Sequence, residues 1–163
     1  MVERQLWKAR SIFPLVQAEG IISGALSAAR SHDMEPMSVA VLDIGGHLIA
    51  FKREDGSGIL RVQIAMGKAW GALGMGVSSR LLRDRLSARQ GFIAALTTVS
   101  EGRFVPVPGG VLVLDDEHYT IGAIGISGDT SERDEFCAIC GVRSAGLNSQ
   151  PDEPDPNWQA STL

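Results

Sequence analysis

Four short apolar runs rich in β-branched residues, joined in pairs across turn sequences, limit most strongly what this chain can fold into. The first pair is Met37-Ser-Val-Ala-Val-Leu-Asp and His47-Leu-Ile-Ala-Phe-Lys-Arg, separated by Ile44-Gly45-Gly46. The second is Val111-Leu-Val-Leu and Tyr119-Thr-Ile-Gly-Ala-Ile-Gly-Ile-Ser, separated by Asp115-Asp116-Glu117-His118. Runs of this length, bounded by Gly and Asp, predict strands joined as two antiparallel hairpins.

Segments of helical period surround the hairpins. Leu15, Ala18, Ile22, Ala25 and Ala29 predict a helix over about 14–30, with Pro14 tolerated in its first turn. Gly20 and Gly24 lie four apart on one face, where another element could approach closely. A second helix is predicted over about 58–73, with Val62, Ala65, Met66, Ala69 and Leu73 as its apolar face. Gln63, Gly67, Gly71 and Gly74 form a second stripe with almost no side chain. Each glycine weakens a helix by about 1 kcal/mol relative to alanine, so the stripe points to something large or flat packed there: another helix or a planar ligand.

Ser78 or Ser79 could cap a short basic helix over 80–86, and residues 90–100 form either another short helix or an irregular connection. A turn at Pro106, Pro108, Gly109 and Gly110 leads into the second hairpin. A last helix is expected over about 131–145, capped by Thr130 or Ser131 with Asp134 and Glu135 in its first turn. The tail from Asn148 holds three prolines and little apolar content, so neither helix nor strand is expected there; Trp158 is its anchor-like residue, with a neighbouring subunit as the surface it would dock on. The prediction is an α+β fold, one antiparallel sheet with flanking helices, forming a single domain over 1–147 followed by an acidic, proline-rich tail over 148–163.

Charge narrows the partners. The net charge is −4, but three of the 19 acidic residues lie in the tail, which leaves 16 against 15 basic ones. The stretch from Lys52 to Arg103 carries nine basic and four acidic residues, an island able to attract carboxylate or phosphate groups. It has no aromatic stacking pattern, so nucleic acid is not expected as a partner. No run approaches the roughly 20 apolar residues of a membrane span, and the first residues lack an apolar leader core. The expectation is a cytoplasmic protein with reduced thiols.

Several of these segments together resemble one known family. Val39-Ala-Val-Leu-Asp-Ile-Gly-Gly-His-Leu-Ile-Ala-Phe-Lys-Arg-Glu-Asp-Gly is similar to the first hairpin of the GlcG/HbpS family, with its V-D-x-G-G-x-L turn and R-x-D-G end. Ile64-Ala-Met-Gly-Lys-Ala resembles its A-x-x-K-A helix. Pro108-Gly-Gly with Gly122-Ala-Ile-Gly-Ile-Ser-Gly resembles its second hairpin, and Asp134 with Ala138 and Gly141 its closing helix. The four motifs stand in the family's order and cover roughly 15–147. The resemblance implies a profilin-like antiparallel sheet flanked by α-helices, assembled into homo-oligomers from dimer to octamer. It also brings heme-binding members and members from catabolic operons, so it speaks to the fold more than to one activity. The chain departs from PduO-type heme binders in having no histidine in its first helix.

The polar groups offer several sites. Arg53, Glu54, Asp55 and Lys68 form one constellation: two cations to fix a carboxylate, and carboxylates to move a proton. Strand alternation puts Arg53 and Asp55 on one face and Glu54 on the other. The alternative is a surface ion-pair network or a subunit contact. Pro108, Gly109, Gly110 and Ser127 with Gly128 could present backbone N–H groups to an anion, or simply form turns. Of His32, His47 and His118, His47 is preferred as an axial heme ligand, against a solvated turn residue; none has metal-ligand spacing, and no metal site is expected. Cys137 and Cys140 form a C-x-x-C within a helix, read as a dithiol or as two buried apolar side chains. Arg80, Arg83, Arg85 and Arg89 make a basic face.

Three functions are therefore carried forward. The first is a protein binding a small anionic ligand, heme or another carboxylate-bearing tetrapyrrole, with Arg53 and Lys68 on its anionic groups and Gly67 and Gly71 against its flat face. The second is an isomerase or a hydratase/lyase transferring protons on a small organic acid, with Asp55 or Glu54 as acid/base. The third is a structural assembly module. The first requires Arg53, Lys68 and the bare helical face to open onto a common hollow.

Overall fold

The structure is a computed structural model that describes residues 10–162. Its elements are α1 (Leu15–Ser31), β1 (Ser38–Asp43), β2 (Leu48–Arg53), α2 (Ile59–Met75), α3 (Ser79–Leu86), α4 (Gln90–Val99), β3 (Gly110–Leu114), β4 (Thr120–Ser127), α5 (Ser131–Ser144) and β5 (Asn148–Gln150), followed by a single 3₁₀ turn at Trp158–Ala160. Both predicted hairpins form, and residues 90–99 are helical. The strands make one antiparallel sheet in the order β2-β1-β4-β3-β5. This is the α+β architecture expected.

Strand alternation sorts the core into two layers. Val39, Val41, Val111, Val113, Ile124 and Ile126 project to one face, where they pack with Ile21, Ile22 and Ala25 of α1 and Ala138, Ile139 and Val142 of α5. Leu42, Leu112 and Ala123 project to the other, against Ala69 and Ala72 of α2. Small residues bring α2 down onto the sheet: a Cβ on Gly125 would strike the backbone of Ala65, and one on Gly110 the backbone of Lys68. On the opposite layer Gly24 of α1 lies against Gly141 and Ser144 of α5, as its spacing suggested, whereas a Cβ on Gly20 would meet nothing within 4 Å among the described residues.

The caps are where the sequence placed them. Ser78 Oγ accepts the Leu81 N–H at 3.5 Å, and Thr130 Oγ1 accepts the Arg133 N–H at 3.4 Å. Helix α4 buries none of its residues although its sequence is Gln-Gly-Phe-Ile-Ala-Ala-Leu-Thr-Thr-Val.

The tail departs from expectation. Residues 148–150 form β5 along the outer edge of β3, with Leu112 opposite Gln150 and Leu114 opposite Asn148. Local propensity gave no sign of this, because a three-residue edge strand is held by its partner's backbone rather than by its own pattern. Trp158 does not wait for another subunit. It stacks on Phe136 of the same chain, with ring centroids 3.7 Å apart, and His32 meets both rings edge-on. Among the described residues no helix is long and apolar enough to cross a membrane.

Candidate functional site

At one end of the sheet, register aligns Arg53 of β2 with Ser38 of β1, and Ser38 with Ser127 of β4. Directly opposed residues share a face, so all three project toward α2. The Ser38 and Ser57 hydroxyls lie 2.9 Å apart, and Arg61 Nη1 donates to Ser127 Oγ at 3.2 Å. Arg53 and Asp55 are exposed at the end of this row. Ser127 is buried and spent on Arg61.

Lys68 does not join Arg53. Its ammonium is 1% exposed and donates to Asp134 Oδ2 at 2.8 Å, inside the subunit. The expectation of an anion-binding lysine is corrected here: the helix residue that repeats a family motif meets the aspartate of another, and each is the other's counter-charge. Asp134 Oδ1 accepts the Asp129 N–H at 3.1 Å. Burial pushes the Asp134 carboxyl up, against the pull of the Lys68 ammonium. Burial also opposes ionisation of Asp129, but the N–H groups of Glu35 and Thr130 and the Arg133 guanidinium outweigh it and hold that carboxyl below the usual range.

Two further expectations are corrected. Glu54 does not face a ligand: its Oε2 accepts the Met37 N–H at 2.8 Å and its Oε1 pairs with Arg30 at 3.1 Å, so it ties the end of β2 to α1. The Pro108-Gly109-Gly110 turn is buried and presents no open nest. The Gly110 N–H donates to Ser79 Oγ at 2.7 Å, and the Gly109 carbonyl accepts the Ile126 N–H at 2.9 Å. Gly109, at φ 114°, is needed because a Cβ there would meet Lys68 Nζ and the Ile126 carbonyl.

The bare stripe of α2 has a different neighbour from either one foreseen. The extended segment after α4 lies across it: a Cβ on Gly67 would fall 2.9 Å from the Arg103 carbonyl oxygen, and one on Gly71 3.2 Å from the Phe104 ring. This covering is partial. What remains open surrounds Trp70, which borders three adjoining hollows. The largest, about 310 Å³, lies between Gln63, Met66, Gly67 and Trp70 on one side and Glu101, Gly102 and Arg103 on the other. A second of about 160 Å³ continues past Gly71 and Gly74 toward Leu96 and Phe104. A third of about 140 Å³ opens between Trp70 and the Ile44-Gly45-Gly46 turn. The Arg103 guanidinium stands 4.4 Å over the Trp70 ring, a cation–π arrangement, and its Nε donates to the Ser100 carbonyl at 3.0 Å.

His47 follows the turn whose Gly46 packs on the Trp70 indole. Its exposed ring lies with Nδ1 3.2 Å from Asp43 Oδ1. The N–H groups of His47 and Gly45 hold the Asp43 carboxyl below its ordinary range. A carboxylate in this position fixes the orientation of the exposed imidazole, whose ring lines none of the three hollows. Met66 adds a thioether to the wall. Cys137 is buried with its thiol pushed up by burial, and Cys140 is raised by the same cause, which makes both poor redox groups.

Sequence reasoning missed Trp70, Arg103, Arg61 and the Lys68–Asp134 pairing. Trp70 was within reach, since Gln63, Gly67, Trp70 and Gly74 share one helical face. Arg103 was not, because nothing local says that the segment after α4 folds back across α2.

Residues 13–143 match a family model described as haem-degrading protein HbpS-like. The fold is similar to that of PduOC in its heme complex, at 23% identity and a TM-score of 0.74, covering 88% of this chain and 99% of that one. Protein ORFY of Klebsiella pneumoniae is similar at 23% identity and a TM-score of 0.74, over 87% and 97% of the two chains. A double variant of HbpS from Streptomyces reticuli is similar at 25% identity and a TM-score of 0.69, over 88% and 92%. No curated protein sequence matches this chain.

Proposed function

This chain belongs to the haem-degrading HbpS-like family, and from that premise we propose that it binds heme, or another carboxylate-bearing tetrapyrrole, in the hollow around Trp70. The observation that carries this reading is the largely apolar hollow of about 310 Å³ walled by Met66 and Trp70, whose indole already holds a guanidinium. A planar macrocycle is the kind of ligand such a hollow accommodates, and Arg103 is placed for its carboxylate. Met66 and Trp70 would hold the macrocycle, and Met66 in the wall or His47 beyond the hollow would be the donors available to its iron. Heme, when bound, would supply iron-centred redox chemistry. The chain's own part is to desolvate the ring on the α2 side and to neutralise a propionate. A heme complex among the similar folds supports the choice of ligand.

Hemin titrated into the protein should give a shifted Soret band at micromolar concentrations. A Trp70→Ala/Arg103→Ala double variant should bind at least tenfold more weakly, about 1.4 kcal/mol. Arg53→Ala should titrate like the parent, since Arg53 lies at the end of the sheet row and does not border the hollow. An unchanged titration in the double variant would sink this assignment.

Self-association belongs to the same reading. Helix α4 packs only Ile93 and Leu96 partly against Leu82, Leu86 and Phe104 and leaves Phe92 and Val99 exposed, and Ile59 and Leu60 are exposed at the start of α2. Apolar surface of this kind is normally covered by a partner. Light scattering should report a mass above that of one 17.3 kDa chain, reduced by Phe92→Glu. A parent protein that runs as a monomer at micromolar concentration would refute it.

A further inference from the structure

The tail, which lies outside the matched residues 13–143, is fastened by more than its short strand. Arg143 of α5 donates to the Asp152 carbonyl and, at 2.6 Å, to Glu153 Oε1. Arg80 of α3 donates to the Glu153 carbonyl at 2.9 Å, and Arg133 of α5 to the Gln159 carbonyl at 3.3 Å. Ser161 Oγ donates to Glu132 Oε2 at 2.9 Å, and Trp158 stacks on Phe136. Every one of these anchors is a side chain of α3 or α5.

Beneath this crossing lies Glu135, 0% exposed, with neither carboxylate oxygen in a hydrogen bond. Arg80 Nε lies 3.3 Å from Glu135 Oε2, an ion pair without hydrogen-bond geometry, and another nitrogen of the same guanidinium is committed to the tail. The groups that face this carboxyl are Arg80 and Arg83 from α3, the latter also paired with Glu132, and the backbone N–H and the carboxylate of Asp155 from the tail. The Arg80 charge and the Asp155 N–H favour the carboxylate but burial outweighs them, so the charged form is costly here and the neutral carboxyl is tolerable.

We propose that residues 151–161 form a releasable strap, closed over α5 while Glu135 keeps its proton and loosened when Glu135 ionises. Ionisation leaves the carboxylate two ways to be satisfied. It can draw Arg80 away from the Glu153 carbonyl, or it can admit water beneath the tail; both detach the strap. Burial is the largest influence on Glu135 and raises it from 4.5 to about 7. The closed state therefore binds the extra proton, so closure is strongest below the ordinary carboxylate range. It weakens up to about tenfold per pH unit until Glu135 is ionised in both states. Release parts Trp158 from Phe136 while β5, which precedes the strap, stays paired with β3.

Hydrogen exchange on the full chain, corrected for intrinsic rates, tests this. Between about pH 5 and about pH 8, protection of the tail amides should fall at least tenfold while the β4 amides stay protected. In Glu135→Gln the tail should remain protected across the range. Tail protection that is flat in the parent overturns the proposal, as does a loss that persists in Glu135→Gln. Should Glu135→Gln fail to fold, the side-chain carboxyl of Glu135 can be followed by carbon-13 NMR in the parent. A midpoint coinciding with tail release supports the strap, and one in the ordinary carboxylate range overturns it.

Discussion

Replacing Lys68 by methionine should destabilise the protein by about 3–5 kcal/mol, although no ligand contact is lost. The ammonium it removes is the counter-charge of Asp134, which is 1% exposed and would be left buried with the Asp129 N–H as its hydrogen-bond partner. The cost arises from the stranded carboxylate rather than from the value of the pair itself. A Lys68→Met/Asp134→Leu double variant should therefore recover most of the loss, because the two apolar side chains replace the pair without leaving a charge behind. Urea denaturation at neutral pH measures both. Burial already raises Asp134, so the single variant should regain stability as pH falls and the carboxyl takes up a proton. A loss below about 1 kcal/mol, or a double variant no better than the single, would show that Lys68 is not held as described.

Gly125→Val should be nearly as damaging, at about 3 kcal/mol or more, while Gly20→Ala should be stabilising by up to about 1 kcal/mol. The two glycines differ above all in what faces them. Gly125 sits in β4 against the backbone of Ala65 and Ala69, and no rotamer change can clear a carbonyl. A side chain there lifts α2 off the sheet and carries the whole Trp70 wall with it, so heme binding should be lost along with stability. Gly20 faces open space on α1, and alanine there removes a backbone entropy penalty without a clash. Thermal melts of the two variants separate the cases. A tolerated valine at 125 would contradict the close approach of α2 to β4.

Most of the architecture was readable from the chain. The hairpins are local objects: Ile44-Gly45-Gly46 and the Asp115–His118 turn lie between short apolar runs, buried almost throughout in β1, β3 and β4, and turn and strands reinforce each other. The helices announced their buried faces by spacing, and Ser78 and Thr130 announced two of their starts. The site was only half legible. Gly67 and Gly71 stood out in the sequence as an unusual surface; the segment after α4 lies across both, and Gly67 also borders the hollow. Arg53, Glu54 and Lys68 look alike in sequence, three charged residues near a strand end and a helix. Yet one is exposed, one binds α1 to the end of β2, and one is sealed against α5.

By itself the sequence determined the number and type of the main elements, their antiparallel hairpins and the faces they bury, because period, turn residues and caps act within a few residues of one another. Tertiary structure alone decided which charges are free, what crosses the glycine stripe and where the tail rests. Those outcomes depend on groups brought opposite each other from distant parts of the chain: Lys68 and Asp134, Trp70 and Arg103, Glu135 and Asp155. No local pattern records such a meeting, since each partner satisfies its own segment equally well without the other.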